Sequence, residues 1–452
     1  MRFVFAVTCL AAFGFLAAAQ VVEVPLEYVK QPADREMPDA KGDMLYIPSG
    51  YMQPELKDSP EKPLALPDLA KHYVRYSSFT IGDTTFPLAL ARAANGKKFV
   101  YTLYIDANGN ASVADDTPIQ GTTQGNDEDP SVYCQFQPYD LEYQLGDKKL
   151  PMSVRFYLWE EKPTVRSKLS GGGSCYLNMS TAAGYSGQFA INGRNYKLIL
   201  GDGKLNGRFG DKMEMEQRDN HVWTEGDRLI LAAPDEKAEY WNTTTVTDYV
   251  FLENDVYKLA IDVPNGKLTL TRYDGALAPL KLPPEVQRLE AASPDNSASI
   301  SFVNPPTSVK VPAGAYKMTS YVLSRKEAVG DVWRLTARAT GRTPVCTVDG
   351  AETAQMMFGE PYNSQLTDQH LRRTRTMDRS DTAMAGAVKE AYRLQMGVTG
   401  CAFEEVAALE HVSGDKTQIR LSARSNRQPK EPTYKIVTEE GETLASGSFE
   451  YG

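Results

Sequence analysis

Short segments in which apolar and polar residues alternate, separated by turns rich in Gly, Pro, Asn and Asp, recur along most of this chain. They include YVRYSSFTI, KKFVYTLYI, SVRFYLW, NYKLILGD, VYKLAIDV, KLTLTRY, AYKMTSYVL and DVWRLTARAT. A period of two places successive side chains on opposite faces of a strand, and many short strands favour antiparallel sheets. The sequence therefore predicts an all-β protein of tandem β-sandwich or β-barrel-like modules with short helical turns only.

Two segments have some helical character. PDLAKHYV fits a turn or two of helix, and DTAMAGAVKEAYRL, over 381–394, fits a short helix. The second segment also fits a strand, because every second residue is apolar from Tyr392 to Val398. We expect a loop or short helix that runs into that strand.

The chain begins with the layout of a secretory signal. Arg2 precedes an apolar run, and three alanines fit a cleavage site before Gln20. The run is short for a bilayer span, which takes about 20 apolar residues. We expect a signal peptide at 1–19, no transmembrane segment, and a secreted, periplasmic or cell-surface protein.

Acidic residues outnumber basic ones by 58 to 49, which gives a formal net charge of −9. Loss of Arg2 with the signal leaves 49 − 1 = 48 basic residues against 58 acidic ones, a net charge of −10. Such a chain is unsuited to bind nucleic acid or an anionic membrane surface, and it attracts cations. The sequence leaves the partner open, and a cell-surface polymer or protein is the class we consider.

Shifts in composition suggest module boundaries. Pro and charged residues without periodicity mark the start of the exported part, and polar residues with several arginines mark a tract near residue 370. The predicted organisation is an extended lead-in at 20–58, a large β region at 59–275, a smaller β-sandwich at 276–361, a polar linker at 362–385 and a last β module at 386–452.

Two parts of the large β region resemble each other. FTIGDTTFPLAL and FAINGRNYKLIL share a Phe, an Ile, a turn and an apolar strand. In each part, a strand that starts with Tyr ends in the spacing Asp, three residues, Asn, four residues, Asp. The first set is Asp106, Asn110 and Asp115, and the second is Asp202, Asn206 and Asp211. Matched spacing in two places predicts a duplicated strand–loop unit.

The first of these loops, LYIDANGNASVADDTP, has oxygen-bearing side chains at alternate positions, as a loop that wraps Ca²⁺ requires. It differs from an EF-hand in having Ala111 where Gly allows the turn and Thr117 where Glu binds through both oxygens, and the second loop has Lys204 at its third position. We predict EF-hand-like calcium loops, against the alternative that Asp and Asn only cap turns. The candidate ligands are Asp106, Asn108, Asn110, Ser112, Asp115, Asp116, Asp202, Asn206 and Asp211.

Catalytic motifs are not apparent in the sequence, and we predict that the protein is not an enzyme. The best acid–base pair, Glu160 and Glu161, consists of neighbours on a strand, whose side chains point to opposite faces. The competing interpretation is a secreted carbohydrate-active enzyme or its accessory carbohydrate-binding module. Trp223 and Trp241, both in polar surroundings, could stack on sugars, although aromatics partly buried on sheet faces explain them as well.

Four cysteines lie outside the signal peptide: Cys134, Cys175, Cys346 and Cys401. An even number in an oxidising compartment permits two disulfides, although a buried free cysteine also behaves as a small apolar residue. Cys134 and Cys175 lie in the same predicted region, so they are the favoured pair.

Several segments resemble a family of large secreted bacterial proteins of unassigned function. LAKHYVRYSSFTIGD with LYIDANGNASVADDTP, and LILGDGKLNGRFGD with GDRLIL, are similar to its two acidic loops. VPAGAYKMTSYVLSRKEAVGDVWRLTA resembles its carboxypeptidase-regulatory-like, transthyretin-type module, and YKIVTEEGETLASGSFEYG its terminal Ig-like strand pair. The resemblance implies a transthyretin- or Ig-like sandwich at 276–361 and an Ig-like module at 386–452, and it assigns no activity.

Overall fold

The computed structural model describes most of the chain between Gln20 and Ser448. The described residues are 20–31, 47–70, 72–95, 98–124, 131–161, 174–218, 220–233, 236, 242–326, 332–371, 391–412, 418–419, 433–438 and 441–448. The predicted signal peptide, Trp241 and most of the candidate helix at 381–394 lie outside them.

The predicted fold class is confirmed, because strands account for 63% and no helix of seven or more residues occurs in these ranges. The only regular helical element described is a 3-10 turn at Val263–Asn265. The strands, numbered in chain order, are β1 Val21–Pro25, β2 Glu27–Lys30, β3 Tyr51–Met52, β4 Tyr73–Ile81, β5 Thr84–Asn95, β6 Lys98–Ile105, β7 Ile119–Gln124, β8 Ser131–Phe136, β9 Tyr139–Leu145, β10 Lys148–Glu161, β11 Cys175–Thr181, β12 Ala183–Ile191, β13 Arg194–Gly201, β14 Glu214–Arg218, β15 His221–Glu225, β16 Arg228–Ala232, β17 Thr243–Thr245, β18 Tyr249–Leu252, β19 Asp255–Asp262, β20 Lys267–Arg272, β21 Leu277–Lys281, β22 Val286–Ala292, β23 Ser299–Val303, β24 Ser308–Pro312, β25 Gly314–Lys326, β26 Val332–Arg338, β27 Val345–Val348, β28 Ala354–Gln355, β29 Asn363–Leu371, β30 Ala391–Thr399, β31 Glu405–Val412, β32 Gln418–Ile419, β33 Thr433–Val437 and β34 Thr443–Ser448.

The first large sheet contains nine strands in the order β3-β11-β10-β8-β7-β6-β5-β4, with β9 also paired to β10. Its inner face buries alternate apolar residues of each strand in one core, which includes Phe79, Phe86, Phe136 and Phe156. This burial of every second side chain is what the alternating sequence pattern requires. The other face of several of these strands carries polar and aromatic side chains.

The second large sheet contains thirteen strands and is covered by two smaller sheets. Its main path is β1-β20-β19-β18-β23-β22-β25-β26-β31-β30-β29. The five-stranded sheet β17-β16-β13-β12-β2 shares a core with the β1 end, where Leu198 and Leu229 contact the cluster of Leu259 and Leu270. The three-stranded sheet β24-β21-β28 belongs to a second core, around Phe302. Each of the two smaller sheets therefore forms a β-sandwich with a different part of the same thirteen-stranded sheet.

The predicted module boundaries do not coincide with the edges of the sheets. The proposed lead-in contributes β1, which pairs with β20, and β2, which pairs with β12. The boundary at 275/276 falls between strands of the thirteen-stranded sheet, and the first part of the predicted linker is β29, which pairs with β30 along its whole length. The residues of this tract lack the apolar alternation that predicts a strand, so the sequence pattern indicated a loop. The module assignment itself stays a prediction.

The predicted disulfide between Cys134 and Cys175 is wrong. All four cysteines described are free. Cys134 lies opposite Leu158 and Cys175 opposite Glu160, with β10 between their two strands. Two steps of about 4.8 Å between strands exceed the Cα separation of about 7 Å that a disulfide tolerates.

The duplicated hairpins are similar in detail. Phe79 pairs with Phe86 across the β4–β5 turn, and Phe189 pairs with Tyr196 across the β12–β13 turn. Both aromatic pairs are stacked, with ring centroids 5.3 and 5.4 Å apart. The Asp/Asn loop follows β13 directly, whereas in the first unit one further strand, β6, intervenes. Within the described ranges, no helix has both the length and the apolar composition needed to cross a membrane.

Candidate functional site

The first Asp/Asn loop, residues 106–116, is closed around a buried carboxylate. Asp106 is 2% exposed, and its oxygens accept the backbone N–H groups of Gly109, Asn110 and Ala111 at 2.7, 3.2 and 2.9 Å. The loop turns through left-handed conformations at Gly109 and Ala111, with φ of 74° and 62°. A carboxylate that binds several N–H groups of one turn stabilises that turn as a helix N-cap does.

Asparagine amides close the outer side of this loop. The Nδ2 groups of Asn108 and Asn110 donate to Asp115 Oδ2 at 3.1 and 2.8 Å, and Asn110 Oδ1 accepts the N–H of Ser112. Hydrogen bonds from Asn110, Ser112 and Asn108 hold the pKa of Asp115 below its ordinary value. The hydroxyl oxygen of Ser112 accepts the N–H of Ala114 at 3.2 Å. Five predicted ligands are therefore brought together as one hydrogen-bonded loop.

Asp116, the sixth predicted ligand, is different. Its Oδ2 atom is buried and accepts no hydrogen bond from the described residues. Burial, together with the nearby charges of Asp115 and Asp106, raises its pKa. This oxygen is the unsatisfied acceptor of the loop.

The second loop, residues 202–211, repeats the geometry of the first. Asp202 is fully buried and accepts the N–H groups of Asn206 and Gly207 at 3.3 and 2.6 Å, and Asn206 Nδ2 donates to Asp211 at 2.6 Å. Leu205 and Gly207 take left-handed conformations, with φ of 55° and 74°. The three residues that the spacing singled out thus have the same roles as Asp106, Asn110 and Asp115. Lys204 is engaged elsewhere, in an ion pair with Glu214 at 3.0 Å.

Sequence reasoning missed a second buried acid at this loop. Asp227, immediately before β16, is fully buried and accepts the N–H groups of Gly203, Gly210 and Asp211 at 2.9, 2.6 and 2.8 Å. Burial and the charge of Asp202 raise its pKa to about 7, and burial raises that of Asp202 to about 6. The only signal was an Asp between Gly226 and an apolar strand, which is a common turn sequence.

The second loop is also a point of contact between distant segments. The backbone oxygen of Asn206 accepts the N–H of Gly82 at 2.7 Å, and that of Gly207 accepts the hydroxyl of Tyr143 at 2.8 Å. Both donors belong to the nine-stranded sheet and its turns. Just before the loop, Gly201 lies against Pro48 so closely that a Cβ would be 1.6 Å from the Pro48 oxygen. The loop thus joins the nine-stranded sheet, segment 47–50 and the five-stranded sheet.

The donor chemistry of the two loops is that of a site for a hard cation, since every candidate offers a carboxylate, amide or hydroxyl oxygen. Two observations fit an ion: the unsatisfied Asp116 oxygen, and the charge of Asp202, which together with burial raises the pKa of Asp227. Against this, no group of three or more His, Cys, Asp or Glu side chains placed to hold a metal was found among the described residues. The Asn110 and Asn206 amides already bridge to the outer carboxylates, and a bound ion would have to replace those bonds.

A cleft of about 790 Å³ lies beside the first loop, between β2 and the nine-stranded sheet. Besides Asp106, two acids line it, and both form ion pairs: Asp140 with Lys30 at 2.7 Å, and Glu142 with Lys149 at 2.5 Å. Elsewhere, Glu160 is buried against Arg92 and Tyr101, whereas Glu161 is exposed. The two acids considered for catalysis therefore have different surroundings.

Comparisons of the chain with protein families, with curated proteins and with solved structures found no match. The family resemblance inferred from the loops and the two C-terminal segments therefore stays an expectation.

Proposed function

We propose that this chain is an exported, non-catalytic binding or structural protein whose two Asp/Asn loops act as clamps that hold its sheets together. The observation that supports this most directly is that the buried carboxylates of Asp106, Asp202 and Asp227 accept backbone N–H groups of the loops. Charge-assisted hydrogen bonds of this kind are among the strongest in proteins. They fix the loop backbone, which in the second loop is the point where separate segments meet.

The same bonds argue against a catalytic role for these acids. A general acid or base must reach the proton of a substrate, directly or through one water molecule. Asp106 is 2% exposed and Asp202 and Asp227 are 0% exposed, and their oxygens already have N–H partners. The N-terminal sequence pattern supports export, and the net charge of −9 supports partners other than nucleic acid.

A calcium-stabilised form of the same function is the second candidate. It is favoured by the unsatisfied oxygen of Asp116 and by the two buried like charges of Asp202 and Asp227. A divalent cation would neutralise these charges and cross-link each loop. The residues that would hold it are Asp106, Asn108, Asn110, Ser112, Asp115 and Asp116 in the first loop, and Asp202, Asn206, Asp211 and Asp227 in the second.

Thermal unfolding of the full chain tests both parts of this proposal. Asp106→Ala and Asp202→Ala should each lower the melting temperature in EDTA, because each leaves buried N–H groups without an acceptor. Wild-type melting temperatures for both variants would overturn the clamp function. Millimolar CaCl₂ should raise the wild-type melting temperature relative to EDTA and to equal MgCl₂, since extracellular calcium sites bind at about 0.1–1 mM.

The calcium arm has its own internal control. At about a hundredfold excess over the dissociation constant, binding to the folded state contributes about 2.7 kcal/mol. Asp106→Ala should lose most of the first loop's share of this gain. Equal melting temperatures of the wild type in CaCl₂ and in EDTA would mean that hydrogen bonds alone hold the two loops. That result would overturn the calcium proposal and leave the proposed clamp function unaffected.

A further inference from the structure

Exposed aromatic side chains form a row across the outer face of the nine-stranded sheet. Tyr133 on β8, Trp159 on β10 and Tyr176 on β11 are direct cross-strand neighbours. Tyr133 is 40% exposed and Tyr176 is 45% exposed, and Trp159 is half-buried between them. On the opposite face of the same strands, Leu158 and Leu177 lie in the core. The row is therefore the surface side of a well-packed sheet.

The rings of this row are nearly parallel to their neighbours. Trp159 stacks on Tyr176 with a centroid distance of 5.6 Å and an interplanar angle of 26°. The ring centroids of Tyr133 and Tyr157 are 6.3 Å apart, and the angle between the two ring planes is 30°. We call the row of Tyr133, Trp159 and Tyr176 the aromatic platform. A cage for a quaternary ammonium ion would need rings that surround the ion at steep angles.

A second row of amide and phenol groups runs beside the aromatic one. Gln135, Tyr157 and Asn178 are the cross-strand neighbours in it. Asn178 Oδ1 accepts the hydroxyl of Tyr51, which is 68% exposed, at 2.8 Å, and Gln124 donates to Gln135 at 3.4 Å. The two rows place apolar ring faces next to uncharged hydrogen-bonding groups.

Charge and dimensions distinguish between possible ligands. None of the side chains that make up the two rows is charged, although the whole chain carries −9. A nucleic acid would meet an acidic protein with no basic groups in either row. From Tyr133 to Tyr176 the row crosses two steps between strands, so the platform is about 10 Å long.

We propose that this platform binds an uncharged polysaccharide chain, with sugar rings stacked on Tyr133, Trp159 and Tyr176. A pyranose ring has an apolar C–H face that packs on an aromatic ring, and its hydroxyl groups need donors and acceptors beside that ring. The platform supplies both, and its strand spacing is close to the length of one sugar unit. The inference does not depend on the Asp/Asn loops, so it can fail or succeed apart from the proposed clamp function.

The platform has a structural alternative, because cross-strand aromatic pairs also stabilise sheets. That alternative explains the contact between Trp159 and Tyr176 without any ligand. It predicts that removal of these rings lowers stability and changes no binding. The test must therefore measure both quantities on the same variants.

Affinity electrophoresis of the full chain provides the binding measurement. Native gels would contain hydroxyethyl cellulose, xylan, galactomannan or soluble starch, each against a polymer-free gel. We expect the wild type to be retarded by at least one polymer, and Trp159→Ala and Tyr176→Ala to weaken that association about tenfold or more, by analogy with the loss of an aromatic ring that stacks on a nucleic-acid base. Phe403→Ala removes an exposed aromatic ring in the segment before β31, outside the platform, and should bind as the wild type does.

Circular dichroism and melting curves would show which variants remain folded. If Trp159→Ala does not fold, binding is measured on Tyr133→Ala and Tyr176→Ala instead. Their rings are more exposed than that of Trp159, so their removal should disturb the fold less. A wild type that none of the four polymers retards would overturn the proposal. So would folded platform variants that are retarded as strongly as the wild type, because the rings would then serve only the sheet.

Discussion

Asp202 and Asp227 are two fully buried acids that bind different N–H groups of the same loop. Asp202 accepts those of Asn206 and Gly207, and Asp227 accepts those of Gly203, Gly210 and Asp211. The loop backbone is thereby held from both ends of its sequence. The cost is two neighbouring acids in the interior: burial, and after it the charge of Asp202, raise the pKa of Asp227.

Removal of the Asp202 carboxylate should be strongly destabilising. Asp202→Ala leaves buried N–H groups without acceptors, and we expect a loss of about 2–4 kcal/mol in the free energy of unfolding. Asp115→Ala, in the exposed part of the first loop, should cost much less. Urea unfolding in EDTA would measure both variants. A loss for Asp115→Ala as large as that for Asp202→Ala would contradict the role assigned to burial.

The stability of the protein should fall as the pH rises towards neutrality. Asp227 has a pKa of about 7 when folded, against about 3.9 when unfolded, so between these values the folded state binds the additional proton. Its contribution is complete below about pH 4 and is lost as the pH rises through 7. In EDTA we expect the free energy of unfolding to drop by about 3 kcal/mol from about pH 5 to about pH 8.

Asp227→Asn is the matched variant for this pH dependence. It keeps the shape of the side chain and removes the titration, although one N–H group loses its acceptor. Its stability should be lower at pH 5 and should change less with pH than that of the wild type. Parallel pH profiles for the two proteins would mean that Asp227 does not titrate in this range.

A side chain at Gly201 should prevent segment 47–50 from packing. A Cβ there would be 1.6 Å from the Pro48 oxygen, a contact that only backbone movement can relieve. Gly201→Ala should lower the melting temperature markedly and expose segment 47–50 to protease. Gly397→Ala is the control, since a Cβ at Gly397 meets nothing within 4 Å. Equal melting temperatures for these two variants would contradict the close packing.

All four cysteines outside the signal peptide should react as free thiols. Alkylation of the denatured, unreduced protein should add four groups, counted by intact mass. In the native protein Cys134 should react last, because burial raises the pKa of its thiol to about 12 and lowers the thiolate fraction. Two unreactive cysteines after denaturation would indicate a disulfide.

The sequence predicted those parts of the molecule that depend on neighbouring residues. Alternation of apolar residues predicted β4, β6, β13 and β25, because the period of a strand is visible in a few residues. The matched Asp/Asn spacing identified two loops, and the structure shows the same pattern of hydrogen bonds within each of them. Turn chemistry of this kind acts over four or five residues, so it can be read locally.

Other features depend on which strands become neighbours. Asp227 joins the second loop only because β16 pairs with β13. Tyr133, Trp159 and Tyr176 form a row only because β8 and β11 flank β10, and the same arrangement keeps Cys134 and Cys175 apart. Sequence separation says nothing about such pairings, which is why the disulfide was predicted wrongly.

The amino-acid sequence by itself determined that the chain forms strands and where two acidic loops lie, because both follow from short-range steric and hydrogen-bonding preferences. Tertiary structure alone decided the order of the strands, the burial of Asp202 and Asp227 and the aromatic platform. Burial and charge–charge proximity arise when segments far apart in sequence exclude water between them, and that exclusion sets the pKa values and the surfaces on which function depends.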